Sequence, residues 1–249
     1  MLAVVMTLAF VGCTGDTAAD DAAKPVLTMG TNAAFPPYEM VDENNNIIGI
    51  DAEIAAAVAE KMGMTLEIKD MAFDSLITAV SSGSVDVVLA GMTVTDERKE
   101  SVNFSDSYAT GIQVVIVPEN SAIASIDDLS GKKIGVQSGT TGDIYCSSAP
   151  EDGGYGEDAV SRYDNGALAV QALVNGQVDC VVIDNEPAKA FVTANEGLKI
   201  LETEFAVEDY AAAFNKEDTE LLDKFNAALA ELKADGTIDT IIGKYIKAE

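Results

Sequence analysis

Residues 79–91 read AVSSGSVDVVLAG, and residues 172–184 read ALVNGQVDCVVID. Ala79, Gly83, Val85, Asp86 and Val88 of the first stretch return as Ala172, Gly176, Val178, Asp179 and Val181 of the second, each 93 positions later. In both, a helical pattern stops at a glycine and an apolar strand follows, so the repeat predicts two similar α/β units. Two unrelated helix–turn–strand units would share part of this pattern through physics alone, which is the alternative account. Outward from the first copy, VLTMGT, DAEIAAAVAEKMG, TLEIKD and FDSLITAVSSG alternate strand and helix periods. Asp51 and Asp74 are N-cap candidates there, with Gly63 and Gly83 as stops. The second series runs from KKIGVQ through a helix opening at Gly139 to GALAVQALVNG and the strand VDCVVID. Between the two lies GIQVVIV, apolar and without a Pro/Gly-rich linker, so extended backbone joins the units. The stretch from Thr219 to Tyr245 reads as helix broken at Gly236. If AAAF at 211–214 is a returning strand, the chain crosses between units twice and this helix packs on the first.

Composition narrows the function classes. The 249 residues suffice for two modest domains, and 15 basic against 42 acidic residues give a net charge of −27. Such a surface repels phosphate backbones, so nucleic acid is not an expected partner. With no histidine and with Cys146 and Cys180 far apart in sequence, neither a metal nor another cofactor is expected. The opening MLAVVMTLAFV carries no charge, is too short to span a bilayer and reads as the apolar part of an export signal. Gly12 and Cys13 directly after it look like the lipobox of bacterial lipoproteins, which marks Cys13 for lipidation; a secretory signal with an incidental cysteine is the alternative. Thr14 to Lys24 are small, acidic and aperiodic, as suits a flexible tether. In a compartment that permits disulfides, Cys146 and Cys180 are either bridged or two small buried hydrophobes.

Ligands of open α/β sheets bind beyond the carboxyl ends of the strands, so polar residues after each apolar run are the candidates. Asn32 and Phe35 follow VLTMGT; Gly91, Thr93 and Arg98 follow VDVVLA; Gly139, Thr140 and Thr141 follow KKIGVQ; Asp184 closes VDCVVID. Arg98 is the most informative, because in TDERK the helix starts at Thr95 and a first turn prefers acids such as Asp96 and Glu97. A cation there is locally unfavourable, and its planar fork suits a carboxylate; a solvated arginine paired with surface acids is the alternative. Gly139 to Thr141 leave backbone N–H groups for an anionic oxygen, although an ordinary N-cap is the simpler reading. Asp184 would suit an α-ammonium facing an α-carboxylate on Arg98, or would cap the helix NEPAKAF that follows. Phe35 and Phe73 either wall an apolar pocket or belong to the core.

On these residues the chain resembles the polar-amino-acid group of periplasmic-type solute-binding proteins that serve ABC transporters, over about residues 25–247. The motifs are TNAAFPPYEM, GIDAEIAAAVAEKMG, FDSLITAVSSGSVDVVLAGMTVTDERKESVNFSDSYA, GKKIGVQSGTT and ADGTIDTIIGKY, and the run from Phe73 to Tyr108 is the specific one. The resemblance implies that Arg98 clamps a ligand α-carboxylate, helped by Thr93 and the backbone N–H of Thr141. It implies that the Gly91 carbonyl, the Thr93 hydroxyl and Asp184 take the α-ammonium, with the side chain between Phe35 and Phe73. It further implies a signal and tether at 1–24, a first lobe of 25–109 plus 213–249, and a second lobe of 110–212, with hinge strands near 108–112 and 207–213. The implied activity is that of a monomeric, lipid-anchored receptor outside the membrane, which closes on a free L-amino acid and delivers it to a permease without covalent chemistry. Members that bind cationic or amide side chains often carry an acid where this chain has Asn32, so a neutral or polar amino acid is expected. Cyclohexadienyl dehydratases resemble the same fold and keep an enzymatic alternative open.

Overall fold

The computed structural model describes residues 24–201 and 205–247; Cys13 and the tether before Lys24 lie outside the described residues. Strand β1 (Val26–Thr31) enters a small antiparallel sheet of β2 (Ala34–Phe35), β3 (Glu39–Val41) and β4 (Ile47–Ile48), followed by helix α1 (Ile50–Lys61). Then come β5 (Thr65–Asp70), α2 (Leu76–Ser81), β6 (Val87–Val88), α3 (Asp96–Ser101) and β7 (Val102–Phe104). The second series comprises β8 (Ala109–Pro118), β9 (Ile134–Gln137), α4 (Thr141–Ser147), β10 (Val160–Tyr163), α5 (Gly166–Val174), β11 (Cys180–Asp184), α6 (Asn185–Ala194) and β12 (Leu198–Ile200). The chain ends through β13 (Ala206–Tyr210), β14 (Ala213–Asn215), α7 (Thr219–Ala234) and α8 (Thr237–Tyr245). One large sheet has the order β5-β1-β6-β14-β7; the other is β10-β9-β11-β8-β12, with β13 added against β8. Each sheet belongs to one of two α/β lobes.

The sequence repeat has a physical content that is the same in both lobes. The carbonyl of Ala79 accepts the Ser84 N–H at 2.9 Å, and that of Ala172 accepts the Gln177 N–H at 2.9 Å. Gly83 and Gly176 between them take φ of 74° and 69°, so both helices stop in the left-handed turn that glycine favours. The Asp86 carboxylate then accepts the Thr28 N–H at 2.7 Å while the Asp86 N–H donates to the Thr28 carbonyl at 2.8 Å. Asp179 exchanges the same two bonds with Lys133, both at 2.8 Å. Beyond each clamp a glycine admits the packing: a Cβ on Gly30 would press on Val85 and Val88, and one on Gly135 on Val178 and Val181.

Local cap rules succeed in part. Gly63, Gly83 and Gly236 all take positive φ where helices end, and α7 and α8 pack against α1 as the C-terminal pattern predicts. Asp51 is not a cap. Helix α1 begins at Ile50 with Gly49 as its N-cap, and the Asp51 carboxylate is buried, accepting the Gly91 N–H at 2.8 Å and the Tyr108 hydroxyl at 2.7 Å. Asp74 lies inside a 3-10 turn, Phe73–Ser75, and accepts from the Ser138 hydroxyl of the other lobe at 3.2 Å. Helix α4 opens two residues later than expected, at Thr141, with the Thr140 hydroxyl accepting the Asp143 N–H. Cys146 and Cys180 are free thiols, not a bridge. Both are fully buried in the second lobe's core beside Val115 and Val182, and this apolar burial pushes the Cys180 thiol up to about 12 and that of Cys146 up as well. The thiolate needed for exchange is thereby disfavoured.

Two strands carry the chain between lobes. β8 and β13 pair antiparallel from Gln113↔Ala206 to Ala109↔Tyr210, and the returning segment then enters the first sheet as β14, between β6 and β7. At this crossing Gly111 leaves room for Tyr210, whose ring meets Tyr38 edge-on at 5.1 Å. A Cβ on Gly111 would overlap the Tyr210 phenol. Gly111→Ala should therefore destabilise the protein by about 1–3 kcal/mol. Gly243→Ala, in the open space of α8, should be neutral or stabilising by up to about 1 kcal/mol. Urea unfolding of both variants checks the pair.

Candidate functional site

The ends of β1, β6, β9 and β11 deliver polar residues into one cleft between the lobes. Asn32, Phe35, Phe73, Gly91, Thr93, Arg98, Thr141 and Asp184 line it, so the residues chosen from the sequence come together. Arg98 is set by its helix: Thr95 caps α3 by accepting the Arg98 N–H at 3.1 Å. Its side chain is 8% exposed and forms no ion pair among the described residues, unlike a surface arginine. Nη1 donates to the Thr93 carbonyl at 2.7 Å and Nη2 to the Gly139 carbonyl of the other lobe at 3.0 Å. The Phe73 ring lies 5.5 Å from the guanidinium, a cation–π contact. Burial lowers the Arg98 pKa, while the charges of Glu208 and Asp184 raise it.

Asp184 precedes α6 but makes no side-chain cap bond; its Oδ1 accepts from the Tyr210 hydroxyl instead. Burial pushes its carboxyl up to about 7, the Tyr210 bond pulls it back, and the charge of Glu208 raises it again. Gly91 takes φ of 51° and packs on Phe35, where a Cβ would collide with the ring. Asn32 is held at both ends: its amide donates to the Met71 carbonyl at 2.9 Å and accepts from Gln137 Nε2, across the cleft, at 3.0 Å. It thereby joins the two lobes through one hydrogen bond. Thr93 and Thr141 donate their hydroxyls to Glu208 at 2.9 and 2.8 Å.

The sequence reading missed Glu39, Gln137, Glu208 and Tyr210. Glu39 matters most, because it lines the cleft, is fully buried, and neither of its oxygens receives a hydrogen bond from a donor among the described residues. Burial first, and then the neighbouring Asp51 carboxyl, holds its pKa well above the ordinary range. Position 32 carries an amide, and the buried acid in this part of the cleft is Glu39. Phe35 and Glu39 stand directly opposite in the β2–β3 hairpin, so both face the same side, a pairing that becomes visible only in the fold.

A buried cleft between two α/β lobes, with a cation at one place and acids at others, defines a two-lobed small-molecule binding protein. The chain belongs to the bacterial extracellular solute-binding proteins, family 3, whose model matches residues 27–248. It is 34% identical to the arginine-binding extracellular protein ArtP of Bacillus subtilis, over 100% of this chain and 97% of that protein. To a probable histidine-binding protein of Neisseria gonorrhoeae it is 34% identical, over 98% and 92%. An ancestral arginine-binding protein solved with bound arginine superposes with a TM-score of 0.83 at 44% identity, covering 90% of this chain and 99% of that one. The same kind of ancestral protein has been solved bound to glutamine, with a TM-score of 0.83 at 43% identity and the same coverage of 90% and 99%.

Acid titration in the cleft has a sign. Burial also raises Asp51, to about 6, against the pull of its Gly91 and Tyr108 bonds. Between the ordinary carboxylate pKa of about 4 and these raised values, the folded ligand-free chain binds protons that the unfolded chain has released. Its stability therefore falls as pH rises through that window. From pH 8 to pH 5, the wild type should gain on the order of 2 kcal/mol over Asp184→Asn. Urea unfolding of both proteins at the two pH values measures it, and a pH-independent difference would contradict it.

Proposed function

We propose that this chain captures a free L-amino acid with a cationic side chain, arginine foremost, and hands it to an ABC permease outside the membrane. The observation that carries the reading is Arg98, a buried guanidinium without an ion-paired partner among the described residues, in the same cleft as the buried acids Asp184 and Glu39. The ligand α-carboxylate meets Arg98 and the Thr141 N–H. Its α-ammonium meets Asp184, the Gly91 carbonyl and the Thr93 hydroxyl, and its side chain runs between Phe35 and Phe73 towards Glu39. The neutral preference expected from Asn32 gives way, because Asn32 is engaged by Met71 and Gln137 and the acid comes from Glu39. Relatives named for arginine support the cationic preference, and the glutamine-bound ancestral protein supports admission of an amide side chain.

In this reading the moving bodies are 25–109 with 213–249, and 110–212, hinged where β8 and β13 cross. Ligand contacts to both bodies favour the closed form that the permease recognises. The receptor is a monomer held at the outer membrane surface through lipidated Cys13, and it does no covalent chemistry.

A thermal-shift screen against the twenty amino acids, on protein unfolded and refolded to remove bound ligand, tests this directly. Arginine should give the largest shift, and Arg98→Ala should abolish it while remaining folded. Glu39→Gln should weaken arginine binding about tenfold or more and leave glutamine within about threefold, the difference expected for one charged hydrogen bond. A flat screen with folded protein would remove the reading.

A further inference from the structure

We propose that Glu208 is a positioning residue: it takes the hydroxyl protons of Thr93 and Thr141 and so turns the lone pairs of Thr93 towards the α-nitrogen of the ligand. The inference rests on the amino-acid reading of the cleft and deepens it. Glu208 is 5% exposed on β13, behind the two threonines that line the cleft. Three donors converge on its Oε2: Thr93 Oγ1 at 2.9 Å, Thr141 Oγ1 at 2.8 Å and Gln113 Nε2 at 3.2 Å. Thr93 comes from the first lobe, whereas Gln113 on β8 and Thr141 on α4 come from the second. Three donors on one oxygen mark it as an acceptor, and each threonine has a single proton to give. Gln113 Nε2 also donates to Thr141 Oγ1, at 3.3 Å, which fixes the direction of that hydroxyl from its other side.

A hydroxyl whose proton is committed can only accept. Thr93 therefore cannot donate to an α-carboxylate, which is left to Arg98 and backbone N–H groups, and it can accept from an α-ammonium. Of the two roles that the family resemblance assigns to Thr93, this geometry selects the second. The charged and titratable groups around Glu208 are Arg98, Asp184 and the phenols of Tyr145 and Tyr210, and Arg98 holds the carbonyl of Thr93 itself. Both ends of Thr93 are thus fixed from behind, and the cleft discriminates for a ligand nitrogen that carries protons.

The test compares L-arginine with 5-guanidinopentanoate, its counterpart without the α-amine. Affinities for the wild type and Glu208→Gln are measured by calorimetric titration or, for the weaker ligand, by thermal shift at millimolar concentration. Glu208→Gln should lose between about tenfold and a hundredfold in arginine affinity, the scale of a hydrogen bond to a charged group, and less than about threefold for the analogue. Thr93→Val should show the same asymmetry and serves where Glu208→Gln does not refold. Equal losses for both ligands, or none for either, would overturn the inference and leave the receptor reading standing. If the wild type binds a different amino acid, the comparison uses that one and its des-amino counterpart. If it binds none, the receptor reading and the inference fall together.

Discussion

A titratable group taken out of water must find a partner inside or give up its charge, and this protein gathers several such groups in and behind one cleft. Arg98 stands among Glu39, Asp51, Asp184 and Glu208, all buried. Its own chain meets them mostly with neutral donors and acceptors. Backbone carbonyls from both lobes hold Arg98; the phenols of Tyr108 and Tyr210 and two threonine hydroxyls hold the acids. Neutral partners orient a charge without cancelling it. The cleft thus keeps a polarity that suits a zwitterion, and the protonation of its acids enters the stability of the folded chain.

The fold exists to bring distant segments to those positions. Glu39 arrives on a three-residue strand, Asp51 on the first turn of α1, Asp184 at the end of β11 and Glu208 on the second crossing strand. Asp86 and Asp179 show that acids in this chain also serve purely structural ends, each locking the turn after a helix to a neighbouring strand. A composition dominated by carboxylates therefore divides into three uses: solvated surface, backbone clamp and cleft lining.

What could be read in advance followed from local physics. The repeat was legible because a glycine stop, an aspartate clamp and two packing valines have fixed spacings within one helix–strand unit. Arg98 was legible because a cation in the first turn of a helix opposes the dipole there. Asp51 was misread as a cap because its partners Gly91 and Tyr108 lie 40 and 57 residues away, beyond any local rule. Glu39 and Glu208 were hidden among 42 acids, in short strands whose neighbours are set by tertiary pairing. Gln137 gave no signal because its partner Asn32 sits 105 residues away across the cleft. The Cys146 and Cys180 question turned on burial, which the run VDCVVID already favoured.

Strand β14 has β6 on one side and β7 on the other, so the interior of the first sheet is filled by residues 213–215. A chain that emerges N-terminus first, from a ribosome or across a membrane, presents all of β8 to β12 before that strand appears. The second sheet is nearly self-contained and can condense as it emerges. The first must wait with a gap between two of its own strands, their edges unpaired and open to pairing with another chain. Vectorial delivery thus imposes an order of assembly that refolding from denaturant does not, with the first sheet completed only once residue 215 has emerged.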